Sequence, residues 1–421
     1  MSIKAYQYPR WVSRLAKLLP APLRQHIRSR QVLNQHLLAI TNRRPIRRIA
    51  IGKVLLGGEN GIRAADLARI FKEPLRPSTL AIHGHHLDFL RRYAECGDAL
   101  LEEQALKETP FYKNIANCMA FTGHYRNFTK QQDIRTIAQH FIDAYKQDCT
   151  GGGEAIDAEP IMVMPVQHSS YYQIFNGHHR VARAIMQGRA SIRGIILPNT
   201  AVTPLQDALA SVLWVSGRRE IYQPIHAPEI TEGWTLVRRC HDRLESMLAH
   251  LSKHGITAPA RYLDLGSSHG WFVKEMLERG FDAHGVERDY FGRNIGTIAY
   301  GLDECRVTLS DLDRYLDSHP EPSDIVSFFS VIHHYLLAGD ETSAGALLRK
   351  IDAITGRVLF FETAHGHENI DPKLAKWNDD TIAAFIRANS SFTNVTLLGH
   401  DHDNVGVFAK AYRRALFACT R

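Results

Sequence analysis

Two domains in tandem are what this sequence predicts: an α+β domain, then an α/β domain on an open, mostly parallel sheet. Three observations carry that expectation. A strand-like run, Arg261-Tyr-Leu-Asp-Leu265, passes through a small-residue loop, Gly266-Ser-Ser-His-Gly270, into an amphipathic stretch that ends at Gly280. Apolar strand-like segments then alternate with helix-like ones toward the C-terminus, the pattern of parallel strands joined by crossover helices. The chain is 421 residues long, more than one typical core.

The loop decides which ligand such a sheet would take. Strand, small-residue turn and helix let a nucleotide-like group lie across the carboxyl ends of parallel strands. The small residues let backbone approach it closely. Asp264 stands two residues before the first glycine, where a carboxylate repels a pyrophosphate and suits a cationic or amino-acid-bearing ligand. The next strand-like run, Phe281–Glu287, ends in an acid 23 residues after Asp264. A carboxylate there accepts both hydroxyl protons of a ribose. The dinucleotide fingerprint has an acid at a spacing of roughly 20 residues, but its G-x-G-x-x-G is absent: the loop reads Asp-Leu-Gly-Ser-Ser-His-Gly.

That stretch resembles the first motif, (D/E)-x-G-x-x-x-G, of the class I S-adenosylmethionine-dependent methyltransferases. Arg306–Leu312 resembles the family's third strand with the acid and apolar residue that hold adenine. Asp324–Tyr335 resembles the fourth strand and the segment after it, and Arg357–Glu362 the fifth. Asn394–Leu398 and Val405–Tyr412 resemble the terminal antiparallel hairpin, with Gly399–Asn404 as its tip. The resemblance covers about residues 223–415. It implies a Rossmann-like, seven-stranded sheet with S-adenosylmethionine held by Asp264, Gly266, Ser267, Ser268, Gly270, Glu287, Asp311, Leu312 and Ser330.

Ahead of that domain, Thr203–Val215 reads as a linking helix, Arg218–Ile225 as an extended connection and Trp234–Leu251 as a lead-in helix. In the resembling family such a lead-in covers the cofactor, which would bring Tyr222 and Gln223 near it; a plain strap between domains is the simpler reading.

Residues 46–200 form the other expected domain, with residues 201–222 as linker. Arg47–Leu56 is strand-like, Leu87–Tyr145 rich in helix, and Pro160–Val166, Tyr171–Phe175 and Ser191–Leu197 strand-like. The third of these four runs enters Asn176-Gly-His-His-Arg-Val-Ala-Arg. Asn-Gly makes a tight turn. The helix after it offers free backbone N–H groups, a ready anion site. This segment resembles the ParB/sulfiredoxin signature, and the resemblance implies a nucleotide or phosphate site at Asn176, Gly177, His178, His179 and Arg180, with ATP or another nucleotide and magnesium as partners. No carboxylate adjoins the motif; Glu59, in Gly57-Gly-Glu-Asn-Gly61, is the one guess for a base.

Charge and composition narrow the function classes. The net charge is +7, yet residues 1–50 hold eleven Lys and Arg and no acid. The rest of the chain is therefore net acidic, so the basicity is not a surface-wide nucleic-acid footprint. Residues 1–45 read as a basic helical arm with Trp11, Leu15, Leu18 and Leu19 on one stripe. Four readings stay open: an arm packed on its own domain or a sister subunit, a helix on an anionic membrane surface, a nucleic-acid contact and a transit segment. No apolar run reaches spanning length, and no secretory signal is expected at the N-terminus. Six scattered cysteines without a C-x-x-C suit a reducing compartment, so the expected location is cytoplasmic, with peripheral contact at the inner face of the membrane.

Methyl transfer needs an acceptor in line with the sulfonium methyl group. It needs a base only where the acceptor is an un-ionised hydroxyl or a protonated amine. His333 and His334, after the fourth strand, are the expected base, with Glu362 as a second candidate. An (N/D)-P-P-(Y/F) tetrapeptide is absent there, which favours O-methylation of a small-molecule or glycan acceptor over adenine or amide N-methylation. Paired with a phosphate-binding domain, that points to a bifunctional protein of surface polysaccharide synthesis; the alternative is a nucleic-acid-binding protein whose first half holds DNA or RNA. The clusters His83/His85/His86, His365/His367/Glu368 and His400/Asp401/His402/Asp403 have no recognised ligand spacing, and no metal is assigned to them.

Overall fold

The computed structural model describes residues 45–64, 67, 84–130, 133–151, 154–230, 233–318, 321–368, 371–405, 409 and 413–421. The chain divides into two compact units, residues 1–72 with 79–201, and residues 202–421 with 73–78. The basic arm, residues 1–44, and His83 lie outside the described residues. Among the described residues, no helix is long and apolar enough to cross a membrane.

The first unit carries a five-stranded mixed sheet. Strand β1 is Arg47–Ala50, β2 Val54–Leu55, β3 Ile161–Pro165, β4 Tyr172–Asn176 and β5 Ser191–Ile196. Their order is β1-β5-β3-β4-β2. The single strand expected over residues 47–56 is broken by a 3-10 turn at Ile51–Lys53, which sends β2 to the far edge of the sheet. Helices α1 (His85–Cys96), α2 (Pro110–Thr122), α3 (Ile134–Thr150) and α4 (His178–Met186) complete the frame. Ile161, Val163, Ile174, Val181 and Ile192 form a core between sheet and α4. Phe89, Phe111 and Phe141 stack across α1, α2 and α3, with ring centroids 4.5 Å and 5.6 Å apart.

The second unit opens with α5 (Pro204–Ser216) and a short parallel pair, β6 (Glu220–Ile221) with β7 (Thr235–Leu236). The expected lead-in helix starts later than Trp234: α6 is His241–Lys253. Residues 235–237 are drawn into extended pairing with β6, and Cys240 turns the chain at φ 63° before the helix begins. The main sheet follows, with β8 Arg261–Leu265, β9 Asp282–Glu287, β10 Val307–Leu309, β11 Ser323–Phe329, β12 Thr355–Glu362, β13 Asn394–His400 and β14 Ala415–Thr420. Its order is β10-β9-β8-β11-β12-β14-β13, with β14 antiparallel to both neighbours. Helices α7 (Trp271–Glu278), α8 (Tyr290–Tyr300), α9 (Leu312–Ser318), α10 (Ile332–Ala338), α11 (Glu341–Ile354) and α12 (Asp379–Ala388) connect the strands.

The last strand corrects the expected hairpin. The strand paired with β13 is Ala415–Thr420, and most of the expected second arm, residues 405–412, lies outside the described residues. Ala415-Leu-Phe-Ala-Cys419 is apolar throughout and buried on both faces, as an interior strand between β12 and β13 must be.

Candidate functional site

A cavity of about 450 Å³ opens at the carboxyl ends of β8, β9, β10 and β11. This is the position where open α/β sheets take their ligands. The loop after β8 shapes one wall. Gly266 and Ser267 both donate from backbone N–H to the Val286 carbonyl at 2.9 Å, folding the loop back over β9. Gly266 has φ 79°, and a Cβ there would lie 2.4 Å from Val331 Cγ2, so only glycine fits.

Glu287 is the central carboxylate. It ends β9 and lines the cavity. Oε2 accepts from Ser268 N at 2.7 Å and Oε1 from Asp289 N at 2.8 Å. Each oxygen keeps a further lone pair for a donor in the cavity. Burial raises its pKa, opposed by those backbone N–H bonds. Ser268, Asp311, Leu312 and Ser330 line the same cavity, as do His333 and His334.

Asp264, Ser267, Gly270 and Glu362 do not line it. Asp264 lies beneath the floor, where Oδ1 accepts from Ser327 Oγ at 2.7 Å and Oδ2 is buried without a partner. Burial pushes its pKa up to about 7. Ser267 is buried, and Gly270 turns the chain into α7 at φ 78°.

Gln223 is the residue that sequence reasoning undervalued. Its Oε1 accepts from the N–H groups of His269 and Trp271, at 3.1 Å and 3.2 Å, and its Nε2 donates to the Ser267 carbonyl at 3.2 Å. One amide thus clamps the whole loop and takes up the first N–H of α7. Tyr222 beside it lines the cavity. Both sit in the stretch that reads as a strap; nothing in their spacing marks them.

Glu362 is not the free carboxylate expected of a base. It is fully buried, and its oxygens accept from Arg243 Nη1 at 2.8 Å, Arg238 Nη1 at 3.1 Å, Arg414 Nη1 at 3.3 Å and Ser330 Oγ at 3.0 Å. Arg414 also forks onto Glu368, with contacts of 2.8 Å and 2.7 Å, and Arg238 reaches Asp401 at 3.4 Å. Although burial alone would raise its pKa, the three guanidiniums hold the Glu362 carboxyl well below the usual range. A carboxylate so held accepts no proton near neutral pH.

The His333 imidazole is buried, and that burial, with Arg414 and His334 nearby, pushes its pKa down to about 3. Its Nδ1 is buried without a partner. Burial lowers His334 as well, with help from Arg288 and Arg414. Both therefore meet the cavity as neutral imidazoles, with pKa values below the ordinary histidine value. In the two histidine clusters of the second unit the side chains already have partners. His365 Nε2 accepts from Ala415 N at 3.2 Å, Glu368 is taken by Arg414, and His400 pairs with Asp379 at 2.8 Å.

The first unit's candidate residues are also committed. Gly177 caps α4 at φ 115°, with no room for a Cβ against Ile161. His178 Nε2 accepts from Gly57 N at 3.2 Å. His179 Nδ1 lies 2.9 Å from Arg126 Nη2. Arg180 is held by Glu159 Oε2 at 2.6 Å and Asn176 Oδ1 at 2.9 Å, not free as the expected phosphate contact. Burial lowers His178 to about 3 and moves His179 the same way, so the helix start carries neutral rings.

An order with β8 and β11 central, β14 inserted antiparallel next to the edge and a cavity over β8 and β9 is that of the Rossmann-like methyltransferase sheet. No family model matches the sequence. Among solved structures the chain is similar to the bifunctional kinase-methyltransferase WbdD, at 19% identity over 50% of this chain and 46% of that one, with a TM-score of 0.40. It is also similar to magnesium protoporphyrin IX methyltransferase (ChlM) from Synechocystis PCC 6803, at 15% identity over 43% of this chain and 78% of that one, with a TM-score of 0.32. A SAM dependent methyltransferase from Archaeoglobus fulgidus is similar at 16% identity over 42% and 94%, with a TM-score of 0.31. The chain spans less than half the length of the WbdD chain.

Proposed function

We propose that the second unit binds S-adenosylmethionine and transfers its methyl group to an oxygen of a small-molecule or glycan acceptor. The observation that carries this is Glu287, a strand-tip carboxylate that faces the cavity with lone pairs to spare, opposite a loop where Gly266 leaves no room for a side chain. Ribose hydroxyls suit the first feature and close backbone approach the second. The bound cofactor supplies an electrophilic methyl group on sulfonium sulfur.

What the protein adds is position and dryness. Holding two reactants in line removes up to roughly 7–11 kcal/mol of the barrier in the best cases. Val331 and Phe329 line the cavity with apolar surface, and the neutral His333 accepts a hydrogen bond at the acceptor side without taking a proton. That suits an acceptor oxygen already ionised, or one that loses its proton to solvent.

For the first unit we infer a nucleotide or phosphate site at the start of α4, on the resemblance of residues 174–184 to the ParB/sulfiredoxin signature. With ATP and magnesium this half would phosphorylate the acceptor that the second half methylates, in the cytoplasm or at a membrane face. Incubating the full chain with ATP, labelled cofactor and candidate glycans tests the pair. Methyl incorporation that requires ATP supports the sequence of steps; incorporation indifferent to ATP overturns the coupling, and failure of the chain to bind adenosylhomocysteine overturns the methyltransferase.

A further inference from the structure

A second set of ligand-type side chains converges in the first unit, at Glu59. Two glycines place that residue. A Cβ on Gly57 would lie 1.7 Å from the Ile174 carbonyl oxygen, and one on Gly58 2.0 Å from that of Ile62. The loop therefore lies flat on β4 and turns sharply, with Asn60 at φ 52°. Gly84 performs the same service opposite: a Cβ there would press on the Leu56 side chain at 2.8 Å, so the start of α1 approaches the loop closely.

The result brings His85 and His86 onto one carboxylate. His85 Nε2 lies 3.3 Å from Glu59 Oε2 and His86 Nε2 3.2 Å from Oε1. The three side chains are 9%, 2% and 10% exposed, for His85, His86 and Glu59. One ligand atom from each lies within 4.8 Å of the others. Bonds of about 2.0–2.1 Å in a tetrahedral zinc site put neighbouring ligand atoms roughly 3.3–3.4 Å apart. Each imidazole nitrogen stands at about that separation from one Glu59 oxygen, His85 from Oε2 and His86 from Oε1, so a small turn of the carboxylate brings one oxygen and both nitrogens to a common ion.

Charge argues the same way. Among the described residues, no Lys or Arg side chain bridges to Glu59; its ion-pair contacts are the two imidazoles. A carboxylate this buried requires compensation, by hydrogen bonds or by a cation. Asn114 Nδ2 and the Tyr125 hydroxyl donate to the same carboxylate, one to each oxygen, which fixes its orientation as outer-shell partners of a metal ligand do.

We propose that Glu59, His85 and His86 bind a borderline divalent cation of the zinc type. Two nitrogens and one oxygen are a donor set such ions accept, and three protein ligands leave one coordination position for an exogenous oxygen.

The test uses the full chain, stripped with a chelator and titrated with Co²⁺, then with Zn²⁺ as competitor. One equivalent of Co²⁺ should bind per chain with visible absorption typical of a four- or five-coordinate ion, and Zn²⁺ should erase it. Zn²⁺ should also raise the melting temperature of the stripped wild type. Glu59→Gln, which keeps the side-chain shape, and His85→Asn should each abolish the band and the thermal shift. Tyr125→Phe should weaken binding by roughly 10–100-fold, the usual cost of losing an outer-shell partner. A wild type with no stoichiometric band and no thermal shift overturns the proposal and leaves a hydrogen-bonded network. So do a folded Glu59→Gln and His85→Asn that bind as the wild type does, which would place the ion elsewhere. The wild-type readings stand even if a variant fails to fold, and none of them depends on methyl transfer.

Discussion

Glu287 and Glu362 end two parallel strands of one sheet, β9 and β12, and a sequence makes them look alike. Their surroundings separate them. Glu287 takes two backbone N–H bonds and turns its remaining capacity toward a cavity. Glu362 is met by three arginines and a serine, with no surface exposed. Strand-tip position supplies a carboxylate in each case; the partners decide whether it serves a ligand or the fold. The arginines come from three places: the extended segment before α6, α6 itself and, far along the chain, the residue just before β14.

The largest expected effect follows from removing Glu362. Glu362→Ala leaves three buried guanidiniums without their shared counter-charge, and breaking a buried pair costs about 3–5 kcal/mol. For a unit of this size that corresponds to a fall in melting temperature on the order of 10 °C. Calorimetry of the full chain measures it. Glu362→Gln should recover little, since the amide lacks the charge. A Glu362→Gln protein as stable as wild type but dead in methyl transfer would reverse the comparison and return Glu362 to the chemistry.

How much of this was legible differs by element. The loop from Asp264 to Gly270 and the acid at Glu287 are local patterns, a strand tip plus a fixed spacing, and they lie at the ends of β8 and β9, with Glu287 on the cavity and Asp264, Ser267 and Gly270 off it. The Glu362 cluster is not local. Arg238 lies in a stretch whose apolar residues, Leu236, Val237, Cys240, Leu244 and Met247, fit a helix, yet pairing with β6 holds its start extended. Tertiary pairing overrode propensity there. The strand beside β13 was hard to read because Ala415–Cys419, uniformly apolar, carries no period to detect. The Glu59 cluster joins residues 59, 85, 86, 114 and 125 through close glycine packing that no spacing rule encodes.

Asp264 sharpens the comparison through pH. Its pKa is raised from 3.8 to about 7 by burial, whereas that of Glu362 is depressed by its arginines. The signs are opposite. A carboxyl with a raised folded value contributes stability that is full below 3.8 and is lost as pH rises toward about 7. Glu362 contributes stability present above its unfolded value and lost as pH falls below it. Asp264 thus adds a slope of up to about 1.4 kcal/mol per pH unit across its window, a few kcal/mol in total. Asp264→Asn keeps the Ser327 contact and removes the titration. Its stability should match wild type near pH 4 and exceed it at pH 8, read by urea denaturation at each pH. Parallel curves for the two proteins would mean that Asp264 is ionised throughout, as the permanent partner of a neighbouring cation.

Glu287 is the smaller effect on stability and the decisive one on binding. Hydrogen bonds to a charged group contribute about 1.5–3 kcal/mol, so Glu287→Gln should weaken adenosylhomocysteine roughly 10–150-fold by titration calorimetry. Its melting temperature should fall by far less than that of Glu362→Ala. Equal affinity in the folded variant would remove Glu287 from the ligand and with it the proposed class.

The finest distinction is at His333. Burial and Arg414 push its pKa down to about 3, so its ionisation is expected to lie outside the range around neutrality. His333→Gln keeps a hydrogen-bonding side chain and should lower kcat by no more than about tenfold, the loss of one neutral hydrogen bond or so. The pH dependence of kcat between 6 and 8 should be the same in both proteins. A limb in that range that disappears with His333→Gln would show the imidazole titrating in the cavity, which would require a bound ligand to bring negative charge against the opposing field of Arg414.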